Sequence, residues 1–363
     1  MQKELKSKLE RIFSKAANVD SIVLVNTNEK DPNFTYITGF TSGIFEDHFL
    51  ILRRDRVKLI TNPLEYEAAI SQKVSGLEVV KSTSGKETIE ILKSELSKKR
   101  IGINEDFLVY SYYGIIKSKA GPSKIVPVAK AFSASRLIKS ASEIKRIKEA
   151  AEITKRAQNE ILSELREGIT EKELAKKFDD LSGRLGSDKP SFDTIVCFGA
   201  NASMPHHSPD NTKLKDGDLV LIDAGSKVGN YCSDITRTTI FARDSLSARQ
   251  AIEKDEMISI VKEAQRKAIN AIKPGVKASD IHKIAADHID SAANGKYKGA
   301  FIHALGHSLG IEVHDGAGLS PASSQRLEPN MVVTVEPGIY VSGVGGVRIE
   351  DDVVVTKSGS MIL

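Results

Sequence analysis

Two aspartates, Asp223 and Asp234, flank what the sequence predicts to be a tight β-hairpin. Asp223 ends the strand-like run Leu219–Asp223, and Asp234 lies in a second strand-like run, Tyr231–Phe241, one short loop later. If Val228–Gly229 form a two-residue turn, the aspartates lie directly opposite each other, with Cβ atoms about 4.5–5.5 Å apart. Two carboxylates at that distance among apolar neighbours repel each other unless a cation lies between them.

Glu336 and Glu350 repeat this arrangement further along the chain. A three-residue loop, Ser342–Val344, is expected to place Glu336 opposite Glu350 in a second hairpin. Any one of the four acids alone is more typical of an exposed strand residue. Four of them at matched hairpin positions favour a metal site, because carboxylate oxygens suit hard or borderline divalent ions.

Histidines cluster between and beside these acids. Five of the eight lie in two short stretches, which hold His206 and His207, and then His303, His307 and His314. The second stretch is rich in glycine and lies between the two acidic hairpins, where a histidine can supply a nitrogen ligand. His48, His282 and His288 have no such context, and the apolar neighbours of His288 favour a place in the core.

The acids belong to a unit that is duplicated in the sequence. Leu165–Ile169 matches Ile272–Val276 at a numbering offset of 107 (272 − 165), and a helix follows each copy. Gly217–Gly225 matches Asn330–Gly338 at a numbering offset of 113 (330 − 217). Each half therefore has the order helix, helix, strand and acidic hairpin, and the alternative is a chance similarity of two α/β stretches. A duplicated fold brings the two hairpins to a common centre.

The whole chain has 363 residues, a length that predicts two domains. The part before the duplicated unit is predicted to form alternating helices and strands. Helices are expected over residues 1–16, 64–73 and 86–99, and strands over 21–25, 34–38, 49–52, 57–60, 77–81 and 100–103. Gly121–Pro127 is expected to be the exit linker. A capping box at Ser140–Glu143 is expected to begin the first helix of the duplicated unit.

Composition narrows the class of protein. The chain has 52 basic and 48 acidic residues, well interspersed, so we expect no nucleic-acid partner. It begins without an apolar signal segment and has no apolar stretch near the roughly 18 residues that span a bilayer, so we expect no membrane association. Its two cysteines, Cys197 and Cys232, suit a reducing cytoplasm and argue against a thiolate zinc site.

The order of the short motifs resembles the prolidase, aminopeptidase P and methionine aminopeptidase family, which has the pita-bread fold. The motifs are Pro-His at 205–206, Asp-Ala-Gly at 223–225, Asp-Ile-Thr-Arg-Thr at 234–238, Gly-His at 306–307, Val-Glu-Pro-Gly at 335–338 and Val-Arg-Ile-Glu-Asp at 347–351. Asp31–Phe40 resembles part of the additional N-terminal domain of creatinase, prolidase and aminopeptidase P. The resemblance implies an α/β (α+β) chain, with a creatinase-like α/β domain over residues 1–132 and a duplicated pita-bread catalytic domain over residues 133–363.

The same resemblance implies the roles of individual residues. The metal ligands would be Asp223, Asp234, His307, Glu336 and Glu350, holding two divalent ions that could be manganese, cobalt, zinc or iron. Asp223 would hold one ion, His307 and Glu336 the other, and Asp234 and Glu350 would bridge them. The catalytic residues would be His206, His314 and Glu336, and the substrate-binding residues His206, His303, His314 and Arg348. A homodimer is also implied.

The implied activity is hydrolysis of the bond before proline in proline-containing peptides. The overall length resembles that of compact dipeptidases, and an aminopeptidase that acts on longer peptides is the alternative. A non-catalytic binding protein on the same scaffold, and creatinase, are disfavoured because all five ligand positions are intact. The added N-terminal domain disfavours methionine aminopeptidase. Ser308 replaces the second glycine of the family's usual Gly-His-Gly, and Asp315 replaces the glutamate of its usual His-Glu. Both changes are conservative, and they bear on substrate preference more than on catalysis.

Overall fold

The structure, a computed structural model, describes residues 3–16, 18–27 and 30–363. The chain divides into two compact units, Met1–Arg136 and Leu137–Leu363. No helix in the described ranges has the length and apolar character needed to cross a bilayer.

The first unit is a six-stranded sheet with helices. Its helices are α1 (Lys3–Lys15), α2 (Pro32–Thr38), α3 (Pro63–Ser71), α4 (Gly85–Leu96), α5 (Tyr110–Ile115) and α6 (Ala129–Arg136). Its strands are β1 (Ser21–Val25), β2 (Phe49–Leu52), β3 (Val57–Thr61), β4 (Leu77–Lys81), β5 (Arg100–Ile103) and β6 (Lys124–Pro127). The strand order is β4-β3-β2-β1-β5-β6, and β2 is antiparallel to both of its neighbours. The first two residues of the predicted helix over 1–16 lie outside the described ranges.

Two predictions for this unit were wrong. The expected strand over 34–38 is helix α2, because Asp31 caps its N-terminus, Pro32 occupies its first turn and Gly39 ends it at φ 65°. The expected linker over 121–127 contains β6, which pairs in parallel with β5, with Ile125 beside Ile101. Pro127 is tolerated there because β6 is an edge strand.

The second unit contains two similar halves. Its helices are α7 (Ala141–Ile161), α8 (Glu171–Arg184), α9 (Ala248–Ala271) and α10 (Ala278–Ser291). Strands β7 (Lys189–Pro190), β8 (Ile195–Phe198), β9 (Leu219–Ala224), β10 (Ser226–Val228), β11 (Tyr231–Cys232) and β12 (Ile235–Ile240) belong to the first half. Strands β13 (Val332–Val335), β14 (Gly338–Val341), β15 (Gly345–Arg348), β16 (Asp351–Val355) and β17 (Ser360–Ile362) belong to the second. The predicted capping box begins α7, with reciprocal hydrogen bonds between Ser140 and Glu143.

Equivalent backbone hydrogen bonds confirm the duplication. The Gly168 N–H donates to Leu214 O at 2.9 Å, and the Gly275 N–H donates to Leu327 O at 2.8 Å. The numbers of the donors differ by 107 (275 − 168) and those of the acceptors by 113 (327 − 214), which are the two offsets found in the sequence. Each half packs its helices on its strands around a separate buried apolar core.

Candidate metal centre

The second unit encloses a cavity of about 610 Å³ that all nine predicted site residues line. They are His206, Asp223, Asp234, His303, His307, His314, Glu336, Arg348 and Glu350. Apolar side chains, among them Phe192, Ile195 and Val313, line another part of the wall. The structure therefore brings together residues that are far apart in the sequence, and the two hairpins belong to different sheets.

The first acidic hairpin turns one residue later than predicted. Val228 pairs with Tyr231, so the two-residue turn is Gly229–Asn230 and not Val228–Gly229. Gly229 has φ 52° and Asn230 has φ 74°. A turn with two left-handed residues matches the twist of a hairpin, and glycine and asparagine tolerate that conformation better than valine. The β-branched Val228 therefore remains in the strand.

The later turn shifts the predicted pairing of the two aspartates. Asp223 lies opposite Thr236, so the expectation that it faces Asp234 directly was wrong. Because the shift is two residues and side chains alternate along a strand, Asp234 still belongs to the same face of the hairpin. Thr236 then meets the second acidic hairpin, donating its hydroxyl to Glu350 Oε2 at 2.6 Å.

The second acidic hairpin has the predicted register. Strand β13 pairs with β16, with Val335 opposite Asp351, and β14 pairs with β15, with Gly338 opposite Arg348. Counting inward from either ladder places Glu336 opposite Glu350, as predicted. The connecting loop has three residues, 342–344.

His307 lies against acids from both hairpins. Its Nε2 is 3.4 Å from Asp234 Oδ2 and 3.5 Å from Glu336 Oε1. One ligand atom each from Asp234, His307 and Glu350 all lie within 4.8 Å of one another. Burial lowers the pKa of His307 to about 4, which keeps its ring neutral and able to donate a lone pair.

The carboxylate oxygens fit a cation. Within the described ranges, Asp223 Oδ1, Asp234 Oδ1 and Glu350 Oε1 are buried and have no hydrogen-bond partner in the protein. Burial raises the pKa of Asp234 well above its usual value, and the Glu350 and Asp223 carboxylates raise it further. Burial also raises the pKa of Glu350 strongly and that of Glu336 to about 7. A divalent ion bound to these oxygens would relieve both the missing partners and the repulsion.

Arg348 is part of the wall that holds Asp223. Its Nη2 donates to Asp223 Oδ2 at 2.5 Å, its Nη1 to the Tyr340 hydroxyl at 2.9 Å, and its Nε to Thr236 Oγ1 at 3.1 Å. Only 3% of the residue is exposed. Three of its donors are therefore committed inside the protein, and its expected contact with substrate stays a prediction.

Two threonines that the sequence reasoning missed position the glutamates. Thr236 binds Glu350, and Thr334 donates its hydroxyl to Glu336 Oε1 at 3.2 Å. Thr334 also accepts the His307 N–H at 2.9 Å. Thr334 precedes Glu336 by two residues, on the same face of a strand. That alternation is a signal by which the sequence could have identified it.

The other histidines predicted to contact substrate surround this centre. The His303 Nε2 lies 2.8 Å from the Tyr340 hydroxyl, and burial lowers the pKa of His303 to about 4. His314 packs edge-on against His307 with ring centres 4.3 Å apart. His206 lies on an exposed loop at the rim.

The histidines outside the centre have structural contacts. His282 Nδ1 accepts the Leu305 N–H at 3.2 Å, and His48 belongs to the first unit. His288, expected in the core, is only partly buried, and its Nδ1 lies 2.9 Å from Lys267 Nζ. That expectation was wrong because the polar ring lies at the edge of the apolar face of α10.

Comparison with known proteins identifies two families along the chain. Residues 145–357 match the family described as metallopeptidase family M24, and residues 7–138 match the creatinase/prolidase N-terminal domain. A curated relative, the Xaa-Pro dipeptidase of Pyrococcus furiosus, is 35% identical over 98% of this chain and 97% of its own length.

Solved structures are similar over almost the whole chain. The Xaa-Pro dipeptidase from Bacillus anthracis has a TM-score of 0.87 and 34% identity, covering 99% of this chain and 97% of that one. An X-Pro aminopeptidase from Thermotoga maritima has a TM-score of 0.85 and 32% identity, covering 95% of each chain. Solved structures named as a dipeptidase and as an aminopeptidase therefore share this fold.

Proposed function

Since the chain belongs to metallopeptidase family M24 and has the creatinase/prolidase N-terminal domain, we propose that it is a metal-dependent Xaa-Pro dipeptidase. Its mixed α/β fold combines a creatinase-type domain with a pita-bread domain, and we assign these to residues 1–132 and 133–363. The observation that carries the proposal is the convergence of four carboxylates and His307 on one cavity. Near-full-length relatives named Xaa-Pro dipeptidase support the substrate class.

The residues that would hold the metal are the five predicted ligands. We propose two divalent ions, of manganese, cobalt, zinc or iron, held by Asp223, Asp234, His307, Glu336 and Glu350. Their oxygen-rich chemistry supports this assignment, as do the buried carboxylate oxygens that have no partner in the described part of the chain. Divalent ions bound there would supply Lewis acidity, polarising the scissile carbonyl and lowering the pKa of water.

The protein's own groups then orient the substrate and move the proton. Glu336 is proposed to take a proton from the attacking water and pass it to the leaving nitrogen, while Thr334 holds its carboxylate in place. His206 and His314 are proposed to donate hydrogen bonds to the oxyanion and to the leaving nitrogen. His303 is proposed to bind the substrate beside them, with Tyr340 fixing its ring.

The apolar part of the cavity wall supports a proline after the scissile bond. The bond before proline has no N–H, so a site that offers no acceptor at that place loses nothing by binding it. Apolar side chains, Phe192, Ile195 and Val313, offer a surface for the body of a short apolar peptide. Proline-containing dipeptides are therefore the proposed substrates.

Two further properties belong to the proposal. We propose a cytoplasmic location, because Cys197 and Cys232 are both buried free thiols, as a reducing compartment favours. We propose a homodimer on the resemblance to the family.

Hydrolysis of Met-Pro beside Met-Pro-Gly tests the specificity. The protein is treated with EDTA, and manganese or cobalt is then restored. Cleavage of the dipeptide alone supports the proposal, and preference for the tripeptide would assign the chain to the aminopeptidases, which the Thermotoga maritima structure makes the second candidate. Failure to cleave either peptide after either metal is restored would contradict an Xaa-Pro peptidase function and favour another substrate or a binding protein.

An asparagine at position 234 tests the metal centre. Asp234→Asn should abolish metal binding and activity together, because the residue is buried at the junction of the two acidic hairpins. Asp255→Asn, at an exposed aspartate paired with Arg243, is the control and should change neither. Full turnover by Asp234→Asn would contradict the assignment.

A further inference from the structure

Glu171 is a buried carboxylate that holds the loop carrying His206. The residue has 0% exposure at the start of α8. Its Oε1 accepts the Phe198 N–H at 2.8 Å and the Asn201 side-chain amide at 3.0 Å. These two contacts fix the segment that leads from β8 into the loop.

The second oxygen of Glu171 binds the far end of the same loop. Its Oε2 lies 2.7 Å from His207 Nε2 and accepts the Asp210 N–H at 3.1 Å. The His207 side chain is 11% exposed and lines the cavity beside His206. The segment that carries His206 is thereby tied to one buried group from both sides, through Phe198 and Asn201 before it and through His207 and Asp210 after it.

His206 lacks an anchor of its own. Within the described ranges, its ring makes no hydrogen bond to the protein, and the residue is exposed. Its direction is therefore set by the backbone on either side, and the nearest side-chain anchor is that of His207. A ring that must meet a substrate atom needs such support, because small displacements of a reacting geometry cost rate.

The duplication shows that the fold does not require a carboxylate at this position. Ala278 is the equivalent of Glu171 in the second half (278 − 171 = 107) and is 1% exposed. The backbone is the same at both places, since the Glu171 N–H donates to Thr212 O at 3.2 Å and the Ala278 N–H to Gln325 O at 2.9 Å. Alanine suffices for this contact. The carboxylate occurs in the half that carries the His206 loop.

We propose that Glu171 and His207 are positioning residues that hold His206 toward the substrate through the hydrogen bond between them. This inference rests on the proposed peptidase function. Glu171, His207 and Asp210 have the ligand types of a small metal site. However, both oxygens of Glu171 already accept hydrogen bonds from nitrogen donors, which favours a hydrogen-bonded anchor.

The first test is a double-mutant cycle on Met-Pro hydrolysis by the manganese-loaded enzyme. His207→Leu should lower kcat/KM by at least about tenfold, because His206 loses its orientation. In a His206→Ala background the same change should add little, since His207 acts through His206. His207→Gln, whose amide can still donate to Glu171, should restore part of the loss. His288→Leu, at a histidine bonded to Lys267 outside the cavity, should match wild type.

The second test is hydrogen–deuterium exchange of the metal-free protein. Exchange over residues 204–210 should be faster in His207→Leu and Glu171→Gln than in wild type, with exchange in α9 unchanged. Unchanged exchange over that loop would overturn the proposal, as would an equal effect of His207→Leu with and without His206. If the wild-type protein does not cleave Met-Pro, the proposed function fails. The exchange result then still shows whether Glu171 and His207 hold the loop that carries His206. If Glu171→Gln does not fold, the exchange result for His207→Leu alone tests the proposal.

Discussion

Arg348 donates a hydrogen bond from Nη2 to Asp223 Oδ2 at 2.5 Å, joining the second acidic hairpin to the first. The two residues are 125 positions apart in the chain and are both buried. The other oxygen, Asp223 Oδ1, has no hydrogen-bond partner among the residues that the structure describes, and Asp223 lines the cavity. The pair therefore orients a candidate ligand and compensates part of its charge.

Replacing this arginine should weaken metal binding. Arg348→Met removes the charge and the donors, and affinity for manganese should fall by about 10–100-fold, as for other partners of metal ligands. Calorimetric titration of the EDTA-treated protein measures the change. Arg243→Met is the control, because Arg243 pairs with Asp255 on the surface and should contribute nothing to binding. Unaltered affinity in Arg348→Met would show that Asp223 does not depend on this contact.

Metal-free protein should lose stability as pH rises. Burial raises the pKa of Glu336 from its usual 4.5 to about 7, so between these values the folded chain holds a proton that the unfolded chain has released. Stability then falls with rising pH, because the native state binds more protons. Thermal unfolding of the EDTA-treated protein from about pH 5 to about pH 8 measures this slope, which Glu336→Gln should reduce. A wild-type melting temperature that stays constant or rises over this range would contradict the prediction.

Gly306 should not tolerate a side chain. A Cβ at this position would lie 2.0 Å from the backbone oxygen of Thr334, so Gly306→Ala must displace either β13 or the segment that carries His307. We expect a loss of about 1–3 kcal/mol in the free energy of unfolding, with weaker metal binding. Urea denaturation measures it. Gly183→Ala is the matched control, since no atom of the described residues lies within 4 Å of the Cβ that it would add. It should stabilise the exposed end of α8 by about 0.5–1 kcal/mol.

Glu95 should stabilise the folded first unit at pH values above the pKa of its carboxyl group. Burial opposes its charge, but the hydrogen bond from Lys58 and the charges of Arg53 and Arg56 outweigh burial and lower its pKa. Its contribution is therefore present above the pKa of the unfolded chain and is lost as pH falls through the lower folded value. Glu95→Gln should reduce the free energy of unfolding at pH 7 by about 1–3 kcal/mol and flatten its acid dependence. Equal acid dependence in wild type and variant would exclude this contribution.

Much of the second unit could be predicted from the sequence. The numbering offsets of 107 and 113 between the halves reappear in the backbone hydrogen bonds. The three-residue loop after Val341 determined the register that places Glu336 opposite Glu350. These features are local, because they depend on turn length and on the alternation of side chains along a strand.

Two of the errors, in the first acidic hairpin and at residues 34–38, arose where two local signals competed. Val228–Gly229 and Gly229–Asn230 both contain a turn residue, and only the φ requirement at both positions favours the second. Residues 34–38 are all β-branched or aromatic, as is typical of a strand, but the caps at Asp31 and Gly39 enclose a helix. In each case the signal that prevailed was a backbone conformation at a boundary, which counting apolar residues does not detect.

The sequence by itself determined which acids and histidines could form the centre, because their types and spacing are properties of the chain. Tertiary structure decided what supports them. The hydroxyl of Thr236 meets Glu350 across 114 residues, and Glu171 holds His207 across 36. Such contacts depend on how the two halves pack, since a buried carboxylate binds whichever donors packing brings within about 3 Å of its oxygens.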